Sequence, residues 1–202
     1  MNSLSKIRMI LLEPHKFFSR LKEKTITDAF VMYAVILAIS VILGTIIGLL
    51  LQDITSQFIS NWLGFPLPQE RAGALVQIGL MILGYLFGVI GSFVMAGVLH
   101  VWVMIFGGKE QYARTYQLYA YSKIPSLLLS WIPGIGLFAW IYTLALLIIG
   151  TQEIHKIPKR TAILMYLVPV AIFIVFILLL LLLFIHLAPD FMILIRQAAM
   201  QQ

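Results

Sequence analysis

The chain has no cysteine and only eight acidic residues among 202. The first absence excludes a disulfide framework, a thiolate metal site and a palmitoyl attachment point. The second reaches further. Intramembrane enzymes and ion-coupled pumps hold ionisable groups inside the bundle, because such groups are costly in lipid and are kept where they act. Here no Asp or Glu falls within Ala29–Leu51, Ala74–Phe106, Tyr112–Ile132 or Thr161–Leu187. The chain also has no HExxH helix, no GxSxG elbow and no phosphate-cradling Gly-Lys loop. The expectation is a protein that is not an enzyme and carries no metal and no cofactor.

What the chain has in abundance is apolar surface: 61% of its residues are hydrophobic, 11% are charged and its mean hydropathy is +1.01. A soluble domain of this length stays near half apolar, so the excess must face lipid. The net charge of +6 does not point to nucleic acid. Most of the Lys and Arg residues sit in short clusters between apolar runs, where they act as topology signals.

Residues 1–28 form a basic arm in which Ile7, Ile10, Leu11, Phe17, Phe18 and Leu21 alternate with Lys6, Arg8, Lys16, Arg20, Lys22 and Lys24, and Pro14 divides it. This amphipathic cytoplasmic segment can lie in the headgroup region or pack on the cytoplasmic ends of the spans, and it reads either as a positive anchor that fixes orientation or as a partner-binding arm. The membrane domain, residues 29–188, reads as all-α with five spans at about 29–51, 74–106, 112–132, 135–152 and 161–187. At 1.5 Å per residue the first is about 34 Å long, enough for a hydrocarbon core of about 30 Å. Gln52–Gly73 reads as an outer connection with a short amphipathic helix near Ile54–Leu63, and residues 189–202 as an extracytoplasmic tail. Counting Ser126–Gln152 as one span gives four crossings instead, but exports Lys156, Lys159 and Arg160 in a short loop. The five-span count keeps eleven of the fourteen Lys and Arg residues on one side. By the positive-inside rule the N-terminus is then cytoplasmic and the C-terminus outside.

Small residues mark candidate helix contacts. Gly44 with Gly48 and Gly84 with Gly88 have GxxxG spacing, and the glycine-rich second span is expected to be the closely packed centre of the bundle. Pro125 removes a backbone donor in the third span, where it shapes the helix or makes a hinge. The polar residues that could meet near the cytoplasmic surface are His100, Arg114, Tyr119, Tyr121, Lys123 and Glu153. One reading makes them a pocket for an anionic lipid headgroup or a partner's carboxylate. The other has Lys123 snorkelling, His100 capping a carbonyl and the tyrosines forming an aromatic belt.

The segments LLEPHKFF (Leu11–Phe18), LHVWVMIFGGKEQYARTYQLYAYSKIPSLL (Leu99–Leu128) and WIPGIG resemble the Yip-one domain family, the Ypt-interacting proteins of five-span topology, in its bacterial and archaeal form. The Tyr-Ser-x-x-Pro element, here Tyr121, Ser122 and Pro125, is the most specific. The resemblance covers nearly the whole chain and implies a five-helix module in a prokaryotic cytoplasmic membrane, acting in membrane organisation or as a scaffold. Its partners would be the lipid bilayer, including anionic lipid, a second copy, or other membrane proteins. Eukaryotic relatives carry a DLYGP-like motif before the first span, whereas this chain reads TDAFVMY around Asp28, so GTPase binding is not carried over. The alternative is a small transporter, channel or lipid scramblase with a polar path around Lys123 and His100.

Overall fold

The computed structural model describes residues 3–23, 25–63, 73–132 and 134–200, apart from the side chains of Leu137 and of residues 187–200. Among the described residues the regular structure is entirely helical: α1 (Ser3–Leu12), α2 (Pro14–Ser19), α3 (Thr27–Leu63), α4 (Ala74–Ile105), α5 (Tyr112–Leu129), α6 (Ile135–His155) and α7 (Lys159–Met200). The chain divides into two compact units, Met1–Ala162 and Ile163–Gln202.

Local chemistry sets the helix ends. Pro14 opens α2 at the first helical position, where its missing N–H costs nothing. At the end of α4, Gly107 takes φ 91, the left-handed conformation that glycine adopts without strain. The Gly107 N–H then donates to the Met104 carbonyl (3.1 Å) and the Gly108 N–H to the Val103 carbonyl (3.0 Å), the paired bonds of a Schellman cap. α3 runs on through Leu63, past Gln52, where the sequence suggested that a connection begins. Most of that connection's second half lies outside the described residues. α7 remains helical through Pro169 and beyond Pro189.

Four helices are long and apolar enough to cross a membrane, over Thr27–Trp62, Ala74–Ile105, Phe138–His155 and Lys159–His186. α5 is not among them. It nevertheless forms the centre of the first unit, packed against α1, α3, α4 and α6, with Tyr116, Gln117, Leu118, Tyr121, Ser122 and Ile124 buried. This corrects the expectation that the glycine-rich second span is the packed centre. Most apolar side chains of α4, from Leu75 to Ile105, are exposed, and a Cβ added at Gly79, Gly84 or Gly91 would meet nothing within 4 Å. A Cβ at Gly88 would stand 2.8 Å from the Leu37 side chain of α3 and one at Gly44 would stand 3.8 Å from Trp131, while Gly48 is open. In the second unit the side chains of residues 171–186 are all exposed, as suits a helix in contact with lipid.

The N-terminal arm is part of the core. Ile10, Phe17 and Phe18 are buried, and α2 packs on α6. The Tyr142 hydroxyl on α6 donates to the Leu11 carbonyl at 2.8 Å. Of the two placements of the arm, packing onto the bundle describes these residues. Gly150 of α6 makes the fit possible, because a Cβ there would collide with Leu118 and stand 3.2 Å from the Phe18 ring.

Gly150→Val is therefore expected to destabilise the protein by about 1–3 kcal/mol through overpacking. Gly48→Ala, in open surroundings, should be neutral or stabilising by up to about 1 kcal/mol. Unfolding transitions of both variants in detergent test this; equal stability would mean that the arm does not depend on Gly150.

Candidate functional site

The polar residues of α5 point to several neighbours. Arg114, Gln117 and Tyr121 recur at helical spacing and face the connection between α2 and α3. The Gln117 amide donates to the carbonyls of Glu23 (3.1 Å) and Thr25 (2.7 Å), clasping that connection. Arg114 donates to the Gln117 side-chain oxygen at 2.8 Å and reaches the Glu23 carbonyl at 3.5 Å. The guanidinium thus holds the glutamine in the orientation that presents its NH2 group to the connection.

Below this clasp lies a charge-assisted cluster. The Tyr121 hydroxyl lies 2.7 and 2.9 Å from the two Glu23 carboxylate oxygens and donates to that carboxylate. The Lys6 ammonium, from α1, donates to Glu23 at 2.6 Å, with Asp28 at 3.5 Å. Lys6 and Glu23 side chains are only 13% and 17% exposed, so solvent screens this pair weakly. Phe17 covers the Tyr121 ring edge-on at a centroid distance of 5.0 Å. The tyrosine of the Tyr-Ser-x-x-Pro element is therefore the point at which the third long helix grips the arm. Ser122 is buried, and among the described residues its hydroxyl has no partner.

A second polar contact joins α4, α5 and α6. His100 Nδ1 lies 2.8 Å from the Thr115 hydroxyl, which lies 3.1 Å from His155 Nε2. Thr115 has one proton to give, so at most one imidazole accepts from it and the other acts as a donor. Gly108 closes over His155: a Cβ there would be 3.1 Å from Nδ1. On the α4 side, Tyr112 donates to the Phe93 carbonyl at 2.9 Å. Ser92 donates to the Val89 carbonyl, so across the 3.1 Å contact the Tyr116 hydroxyl donates to Ser92.

The six polar residues singled out from the sequence thus fall into separate groups. Arg114 and Tyr121 meet at Glu23. His100 belongs to the Thr115 contact. Lys123 lies over the Tyr119 ring, 5.8 Å from its centroid, and Tyr119 faces Tyr33 of α3 at 6.3 Å. Glu153 meets His15 of α2 at 3.2 Å. Among the described residues no hydrogen bond or ion pair ties Lys123 to His100, Arg114 or Glu153. Pro125 is buried within a helix that continues to Leu129. Sequence reading missed Glu23, Gln117, Thr115 and Lys6 as participants. The available signal was Glu23 itself, a lone acid within the basic run Lys22–Lys24. Among the described residues no group of three or more His, Cys, Asp or Glu is placed to hold a metal ion.

A model of the Yip1 domain family matches residues 8–181. No curated protein and no solved structure matches the chain.

Glu23→Gln removes the charge shared by Lys6 and Tyr121, and a hydrogen bond to a charged group contributes about 1.5–3 kcal/mol. The expected result is that much loss of stability together with faster protease cleavage within the arm. Lys6→Met added to Glu23→Gln should cost less than the sum of the two single changes. Strictly additive losses in unfolding experiments would show that the two residues do not act as a pair.

Proposed function

The chain belongs to the Yip1 domain family, and from that premise we propose that it is a five-span, non-enzymatic membrane protein that organises the membrane or its proteins as a scaffold or adaptor. One observation carries this reading. Most polar side chains of α5, among them Arg114, Thr115, Gln117 and Tyr121, are engaged in the joints that hold α1, α3, α4 and α6 together, and among the described residues no line of ionisable groups runs through the bundle. Function then resides in the outer surfaces, where apolar side chains of α3 and α4 face outward. The partners proposed are lipid, including anionic lipid, and a second copy or another membrane protein. Neither nucleic acid nor a GTPase is among them.

The fifth crossing in this reading is α5. Two points support it. Gly108 lies against His155 and Gln117 clasps the start of α3, so the ends that carry Lys22, Lys109, Arg114 and Lys156 gather together. α3 to α6 then run alternately up and down, with the basic residues at one end, which the positive-inside rule assigns to the cytoplasm. The proposed setting is a prokaryotic cytoplasmic membrane, with the N-terminal arm inside and residues 189–202 outside.

A second reading, a lipid scramblase or small conduit, draws on one feature. A groove of about 450 Å³ between α1 and α3 passes from Ser3, Lys6 and Asp28 to Val35, Ile39 and Leu128, a polar-to-apolar gradient like that of a lipid molecule.

Reconstitution into liposomes separates the two readings. The scaffold reading expects lipid scrambling and solute leakage no faster than in empty vesicles; movement that exceeds them and falls in Lys6→Ala or Lys123→Ala variants would replace it with the conduit. For topology, a reporter fused after Gln202 should be accessible only from outside, and cytosolic labelling would overturn the five-span count.

A further inference from the structure

A recess of about 500 Å³ opens where two segments distant in sequence come together: the connection leading into α3, through Lys22 and Glu23, and the loop leading into α5, through Lys109, Glu110 and Arg114. Three cations and two carboxylates line it, but the charges do not cancel. The Glu23 carboxylate is held by Lys6 and by the Tyr121 hydroxyl. Arg114 is held by neutral acceptors, the Gln117 side-chain oxygen and the Glu23 carbonyl, so its charge has no carboxylate partner there. Lys22 and Lys109 are exposed, and no ion pair engages either among the described residues. Three positive charges thus face one remaining acid, Glu110. The recess is lined by residues that come shortly before α3 and just after α4 in sequence, both helices able to cross a membrane. In the topology proposed above that is the level of phospholipid headgroups, where clustered Lys and Arg next to a span attract anionic lipid.

We propose that this recess binds a phosphate group, as carried by an anionic phospholipid headgroup or as free phosphate, through Lys22, Lys109 and Arg114. The bound anion bridges the arm connection and the α4–α5 loop. Because Arg114 also grips Gln117 and the Glu23 carbonyl, occupancy reinforces the clasp that holds the arm to α5. The site rests on the proposed membrane topology and gives the proposed anionic-lipid partner a place, but it does not depend on the scaffold role: a protein that moved lipid in vesicles would still have it, and an inert scaffold could lack it.

The test is calorimetric titration of the full-length protein in neutral detergent with dihexanoylphosphatidylglycerol, dihexanoylphosphatidylcholine and inorganic phosphate. The phosphatidylglycerol should bind and the zwitterionic lipid should bind at least about tenfold more weakly. Lys22→Gln with Lys109→Gln should weaken binding by about 25-fold, roughly fivefold for each basic residue lost near the surface, without lowering the unfolding temperature of the ligand-free protein. Glu110→Gln should tighten it by a few fold, a gain that misfolding cannot produce. Binding of phosphatidylglycerol alone assigns the lipid as the source. Binding of phosphate that competes with it and shows the same dependence on the lysines assigns free phosphate. Equal affinity for both lipids, or affinity indifferent to all three substitutions, would overturn the proposal.

Discussion

A helix that carries an arginine, a glutamine, a threonine, a lysine and four tyrosines can occupy the middle of a membrane protein only if its neighbours keep those groups out of lipid. Everything else in the first unit follows from this constraint on α5. An unpaired polar group in hydrocarbon costs several kcal/mol, so α5 is surrounded. α4 supplies Ser92 and the Phe93 carbonyl, and α6 supplies His155. The connection into α3 supplies the Glu23 and Thr25 carbonyls, and α1 supplies Lys6. The arm completes the bundle, because it supplies the carboxylate that takes the Tyr121 hydroxyl and the carbonyls that take the Gln117 amide, and without it both groups would be left unpartnered.

Much of the fold was legible in the sequence because hydropathy is a direct measure of what lipid tolerates. The apolar runs that define α3, α4, α6 and α7 needed no further information. Charge placement was legible as a pattern, since Lys109 and Lys156 sit in short loops beside apolar helices, where the positive-inside rule reads topology from simple counting. α5 was harder. Its composition is that of a soluble helix, and only the positions of the charged loops on either side argued for treating it as a crossing. The family resemblance ran through this same helix, where Tyr121, Ser122 and Pro125 give the most specific element.

Packing and partner choice were less legible, and each discrepancy has a physical cause. Glycines recur along α4, and a row of small residues was read as the mark of a crowded helix. Yet glycine permits close approach without enforcing it, and at Gly79, Gly84 and Gly91 nothing approaches. Burial instead follows the polar helix, where enclosure is compulsory rather than merely permitted. The polar pocket was inferred from depth along the spans, which gives height and says nothing of direction. Lys123 and Tyr121 lie at similar heights, but two residues on a helix differ by about 200° in direction. One therefore lies over Tyr119 and the other reaches Glu23.

The two ends of this unit are held by different forces. At the end bearing the basic residues, hydrogen bonds and an ion pair fix the arm, the start of α3, the cap of α4 and the end of α6, with groups that are largely buried. Toward the far end, described contacts are apolar and fewer: a Cβ added at Gly44 would lie 3.8 Å from Trp131, one at Gly48 would meet nothing within 4 Å, and α3 is mostly exposed from Leu49 onward. Apolar contacts between helices gain little over contacts with lipid, since hydrocarbon chains are as apolar as leucine. Local opening follows low density of such specific contacts. The far end accordingly rests on few specific contacts, while the polar end holds the helices in a common frame.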